Sequence, residues 1–190
     1  MLLNDAVNIG LRYIGETPVP PGVDIDTLNP LHEAVIIKDI LQEVSEELQS
    51  QGWWFNKEEW TFQPDTSNHI GIPPDVLSLK VNGKDIIQRG GSLYDRENKT
   101  YLFTQPVTAD VIWRWDFEDL PKTFASYVTY MGAKQAQVFL NGDEFVDRDL
   151  EKQIGYALIK VEKEHLRNSK YNLVKNTRVV DRGTVPKGTR

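Results

Sequence analysis

The sequence predicts an α+β protein: a four-helix bundle with an inserted antiparallel β subdomain and an extended C-terminal tail. Three observations predict it. Apolar residues recur every three or four positions in the first fifty residues and again beyond residue 121, the period of buried helices. Between Trp53 and Trp115 the pattern changes to alternation broken by turn sequences such as Asn82-Gly83. The second change of period falls at Asp116-Phe117-Glu118-Asp119-Leu120-Pro121, a joint between strand-like and helix-like sequence. Helices on either side of a run of strands can bury their stripes only against each other. The expected division is therefore a helical bundle from 1–52 and 116–167, a β subdomain at 53–115 and a tail at 168–190.

The first helix is expected from about Asp5 to Ile14, capped by Asn4 or Asp5. Ala6, Ile9 and Tyr13 share one face, and Gly15 stands where a helix ends. Glu16 to Asn29, with Pro18, Pro20, Pro21 and Gly22, reads as a long loop. A second helix follows, with Asn29 as cap and Pro30 in its first turn. Leu31, Ala34, Ile37, Leu41, Val44 and Leu48 form its stripe, and Ile36 and Ile40 broaden it. Glu43, Glu46 and Glu47 lie off that stripe, and Gly52 closes the helix.

Trp53-Trp54-Phe55 suits a half-buried strand start that continues through Glu58 to Phe62. After a turn at residues 64–68, Leu77, Leu79 and Val81 alternate with Ser78 and Lys80 up to Asn82-Gly83. Ile86-Ile87-Gln88 returns, Arg89-Gly90-Gly91 interrupts, and Leu93-Tyr94-Asp95 opens a short strand. Glu97-Asn98-Lys99 turns into a further strand at Thr100 to Thr104. Val111, Trp113 and Trp115 mark the last strand, and the whole reads as an antiparallel meander.

In the joint, Asp119 or Leu120 is the expected cap of a third helix and Pro121 its first residue. The joint's carboxylates are expected to cap that helix and to pair with Lys122 or Arg114. The helix runs to about Leu140 with Phe124, Tyr127, Val128, Met131, Gln135 and Val138 inward. Ala125, Gly132, Ala133 and Ala136 are small enough to let another helix approach. A fourth helix is expected from Glu144 to Arg167, with Leu150, Ile154, Ala157, Leu158, Val161 and His165 inward. Beyond it no period is sustained.

Composition excludes several classes. There is no cysteine among the 190 residues, so disulfides and thiolate metal sites are ruled out. No apolar run approaches the length that spans a bilayer, and no signal peptide is apparent, so no membrane role and synthesis in a reducing host cytoplasm are expected. Net charge is −6, unevenly placed. Residues from Arg167 onward carry seven basic side chains and one acidic, +6, leaving −12 on the rest. A basic terminus on an acidic body suits docking on an acidic protein surface, or alternatively phosphate.

Residues that could carry chemistry have simpler readings. Trp53, Trp54 and Phe55 could form a carbohydrate platform, and packing between sheet and bundle is preferred. Arg89-Gly90-Gly91 could hold an anion, but no helix follows, and a tight turn is preferred. Glu58 with Glu59, or Asp116 with Glu118 and Asp119, could be a glycosidase pair if held at a set separation. His32, His69 and His165 lack metal-ligand spacing. No catalytic, cofactor-binding or metal-ligating residue is assigned, and no cofactor is expected.

Three stretches in order resemble one known family. They are Gln51-Gly52-Trp53-Trp54-Phe55-Asn56-Lys57-Glu58, Arg89-Gly90-Gly91-Ser92-Leu93-Tyr94-Asp95-Arg96, and the joint from Asp116 to Pro121. Together they are similar to tail tubular protein A, the head-to-tail adaptor of short-tailed bacteriophages. The likeness runs from the first helix to the fourth. It implies a non-enzymatic virion protein of the viral short tail, at the head–tail junction. It further implies a twelve-subunit ring, a dodecamer, binding the portal protein above and the tail nozzle (tail tubular protein B) below. A tail fibre protein would attach at the ring, and double-stranded DNA would pass through it during genome ejection. The alternative reading is a tail-associated carbohydrate-binding or glycan-degrading protein.

Overall fold

Helix α3 (Lys122–Leu140) packs against each of the other helices, α1 (Leu3–Tyr13), α2 (Glu33–Gln49) and α4 (Glu144–Thr177). The computed structural model describes residues 1–177 of the chain. The protein is α+β, with four helices and antiparallel sheets. Its apolar side chains gather in two clusters. One is helical and centres on Leu11, Ile37, Leu41 and Phe124; the other lies among the strands and centres on Ile70, Leu93 and Val111.

The helices form where the apolar period places them, with displaced starts. Helix α1 begins at Leu3, and neither Asn4 nor Asp5 caps it. Glu118 from the distant joint accepts a hydrogen bond from the Leu3 amide at 3.0 Å. Helix α2 begins at Glu33, not Pro30. Asn29 instead closes a turn through the Leu31 amide, and His32 Nδ1 accepts from Ala34 N at 3.1 Å as the true cap. Leu31 is consequently outside the stripe and 81% exposed. The loop before it is fastened down. Asn8 bonds both the amide and the carbonyl of Val19, and Ile25 is buried in the helical cluster.

Helix α3 carries Phe124, Tyr127 and Val128 inward as expected, but its second half turns a small-residue face to the core. Ala133 and Ala136 are buried, while Gln135 and Val138 face solvent. At Gly132 the reason is contact: a Cβ there would stand 2.6 Å from Leu41 Cδ2. Helix α4 buries Leu150, Ala157 and Val161 against α3. It continues to Thr177, so residues 168–177 are helical rather than an extended tail. No glycine or proline occurs between Gly155 and Gly183, and extending a formed helix avoids the cost of nucleation. The rest of the expected tail lies outside the described residues.

The strands are antiparallel but not a meander. Strands β1 (Lys57–Phe62), β2 (Val76–Lys80) and β5 (Val107–Trp113) form one sheet in the order β1-β5-β2. Strands β3 (Ile86–Arg89) and β4 (Ser92–Asp95) form a separate hairpin. The last strand sits in the centre because Val107, Ala109 and Val111 are buried, which suits a strand with neighbours on both edges. Thr100 to Thr104 is not a strand; only Thr100 bridges, to Asp95. Residues 53–56 form a turn, and β1 starts at Lys57. Trp53 joins the helical cluster instead.

Candidate assembly surface

Two buried amides join the helical cluster to the sheet. Gln49, at the end of α2, donates to the Trp115 carbonyl at 3.0 Å and accepts from the Trp115 amide at 2.8 Å. Asn56 donates to the carbonyls of Gln49 and Trp113, and its Oδ1 accepts from the Trp53 amide at 2.8 Å. Each amide uses donor and acceptor together, the condition for burying such a group without penalty. Trp53 donates its indole N–H to the Leu48 carbonyl at 2.7 Å, and its ring meets Phe124 and His165 edge-on. Trp53 is therefore unavailable as a sugar platform; its ring is interior packing. Phe55 likewise meets Phe124.

Asp116 and Glu118 share an open cleft of about 410 Å³ with Glu46 and Arg114, while the other candidate groups lie apart. Gly90 and Gly91, both at positive φ, make the two-residue turn of the β3–β4 hairpin, where mirror-image turns need that backbone. Glu58 and Glu59 are neighbours on β1 and point to opposite faces of the sheet. Glu118 is committed to the first turn of α1. Asp116 and Asp119 do not cap α3, whose N-cap is Pro121 without a side-chain bond. Arg114 pairs with Asp75 at 2.6 Å rather than with the joint, and that bond raises its pKa above the ordinary guanidinium value. Among the described residues no group of His, Asp or Glu could hold a metal ion, and no helix is long and apolar enough to cross a membrane.

The surface stands out for apolar exposure rather than for a catalytic cleft. Phe139, Val138, Phe145, Tyr156, Ile159 and Leu166 on α3 and α4 are all more than half exposed. Met131, Val138, Phe139 and Ile154 line an open groove of about 740 Å³ between the two helices. Lys134 rims it, bonded to Glu151 at 2.8 Å and near Asp147 at 3.5 Å. That bond holds the Glu151 carboxyl below its usual range and the Lys134 ammonium above its own. The groove is one apolar patch and Tyr156, Ile159 and Leu166 form a second on the outer side of α4, and patches of this kind mark surfaces that meet other proteins. Sequence reasoning placed Val138 inside and did not single out the outer face of α4. The signal was present, because Tyr156, Ile159 and Leu166 recur at three- and seven-residue spacing opposite the inward stripe.

The fold joins helices and sheet through buried amides and leaves apolar helix faces uncovered, as a structural protein built for assembly does. Comparison with known proteins identifies which. The family model described as tail tubular protein matches residues 4–177, and the chain belongs to that family. It is 33% identical over 176 residues to Tail tubular protein A of Klebsiella phage KP34, covering 90% of each chain. The protein is thus a structural component of a bacteriophage tail.

Proposed function

We propose that the protein is the head-to-tail adaptor, closing into a ring of about twelve copies. The ring joins the portal protein to the tail nozzle, carries the tail fibre protein and passes double-stranded DNA during ejection. In this reading the helices at 1–52 and 116–167 make the ring body, and the strands at 53–115 form a subdomain attached to it. The observation that carries the reading is the row of exposed apolar side chains on α3 and α4, Phe139 at 73% and Phe145 at 81% foremost. A single copy leaves that surface in water; a ring of copies removes it. A head-to-tail contact that closes by rotation needs two different faces on each copy. Electron microscopy of purified tails and of the isolated chain tests the reading. Annular particles at the junction, containing this chain, are expected; tails in which it forms no annulus would refute it.

A further inference from the structure

The outer face of α4 and the outer face of α2 have the properties of the two halves of one contact. Lys152, Tyr156, Ile159, Lys163 and Leu166 follow one another at spacings of four and three, a continuous helical stripe. It lies opposite Leu150, Ala157 and Val161, which are buried against α3. Tyr156, Ile159 and Leu166 are 63%, 62% and 55% exposed. Lys160 flanks the stripe, and among the described residues Lys152, Lys160 and Lys163 have no ion-pair partner. The face is thus apolar and cationic together.

Helix α2 shows the complementary charge. Asp39, Glu43, Glu46 and Glu47 are exposed and lie opposite Leu41, which faces α3. Asp39–Glu43 and Glu43–Glu47 are like charges four residues apart, an arrangement that weakens a lone helix by ~0.2–0.5 kcal/mol per pair. Among the described residues the cation paired with this face is Arg114, 4.0 Å from Glu46 and already engaged by Asp75. Beside it Trp115, 44% exposed, and Phe117 line a cleft of about 410 Å³ with Gln42 and Glu46.

The two faces look in opposite directions. Helix α3 meets α2 at Gly132 and α4 at Thr123, whose hydroxyl bonds Glu164 at 2.5 Å. Nine residues separate these contacts, about two and a half turns, so they lie on opposite sides of α3. We infer that the outer face of α4 docks on the acidic outer face of α2 in a second copy of this chain, forming the subunit contact of the ring. The inference rests on the ring reading and names its interface. Lys152, Lys160 and Lys163 meet Asp39, Glu43, Glu46 and Glu47, while Tyr156 and Ile159 pack against the exposed ring of Trp115. Such a pairing relieves the like-charge stacking on α2 and the exposure on α4 in one step. A face meant for sliding DNA would not carry three large apolar side chains.

Charge reversal in the full chain tests this, read by native mass spectrometry at low and high salt. K152E/K163E should lower the multimer fraction by about tenfold, E43K/E47K should do the same, and the four-fold exchange should restore it. All four positions are exposed, so each variant should melt like the parent. Carbodiimide treatment of mixed light and heavy isotope-labelled chains should join Lys152, Lys160 or Lys163 to Glu43, Glu46 or Glu47 between copies. Multimers that survive K152E/K163E, with no such cross-links, overturn this interface and leave the ring standing. A parent chain that yields only intrachain links, both alone and in purified tails, also overturns it, and images of the tails then judge the ring separately. Loss of duplex DNA retardation in K152E/K163E with multimers unchanged would assign the face to nucleic acid and overturn the inference.

Discussion

Around Phe124 the helices are held by interlocked rings and by amides that reach across the fold, whereas around Leu93 the strands are held chiefly by Ile, Val and Leu side chains, with Phe62 and Phe103 among them, and by turns. The helical cluster draws on residues from both ends of the described chain, Ala6 to Val161; the β cluster draws only on Phe62 to Val111. The first therefore cannot form until distant segments meet, while the second closes over shorter stretches. Gln49 and Asn56 stand between them and bridge the junction with hydrogen bonds. The difference teaches where the molecule tolerates change. A charge in the helical cluster should undo everything, and a cavity in the β cluster should be felt locally.

The largest effect is expected at Leu41, fully buried and pressed on Gly132. Leu41→Asp puts an unpaired charge in the helical cluster and should cost more than about 4 kcal/mol, abolishing cooperative folding of the whole chain. Calorimetry checks this; a soluble variant with a sharp melt would show that the stripe is not core. Next comes Leu93, fully buried among the strands. Leu93→Ala should cost ~2–5 kcal/mol. Hydrogen exchange should then quicken from Ile70 to Val111 and stay slow in α2 and α3. Uniform loss of protection would erase the distinction between the two clusters.

Gln49→Ala sharpens the comparison at the junction. It leaves the Trp115 amide and carbonyl without their partner and should cost ~1–3 kcal/mol. It should also split the denaturant transition in two, seen as separate curves for tryptophan fluorescence and far-ultraviolet circular dichroism. Coincident curves would mean that the amide bridge does not couple the clusters.

The smallest effect concerns pH and is read at two turns of the β part. Asp65 accepts from the amides of His69 and Ser67, each at 2.8 Å, and Asp95 from the amide and side chain of Asn98. These bonds hold both carboxyls below their ordinary values. A carboxyl depressed in the folded state stabilises fully above its unfolded value, and the contribution drains away as pH falls through the folded one. The turns at residues 65–69 and 95–98 should thus loosen in acid before the helices do. Asp65→Asn combined with Asp95→Asn should flatten that acid dependence, read by hydrogen exchange at those turns.

The same contrast governs what the sequence made legible. Helix periods identified α1 through α4, because a stripe such as Leu41, Val44 and Leu48 fits one buried side of a helix and no strand. Helix starts were less legible: Glu118 reaches α1 from more than a hundred residues away, His32 rather than Asn29 caps α2, and α3 starts without a side-chain cap. Strand pairing was least legible. Alternation identifies a strand but not its neighbours, so β5 between β1 and β2 could not be read from Val107 or Val111. Trp53 was misplaced for a related reason. An aromatic run suits a strand, and only the fold shows that the Leu48 carbonyl and Phe124 claim it for the helices. The uncovered face of α4 was written in its spacing, yet an outward apolar stripe becomes visible as such only once the inward one is known.

Native mass spectrometry of the full chain, alone and released from purified tails, addresses the central claim that copies cover one another's apolar helix faces in a closed ring. The account predicts one dominant species of about twelve copies that dissociates as ionic strength rises. A chain that is single in both preparations, at every salt concentration, would contradict it.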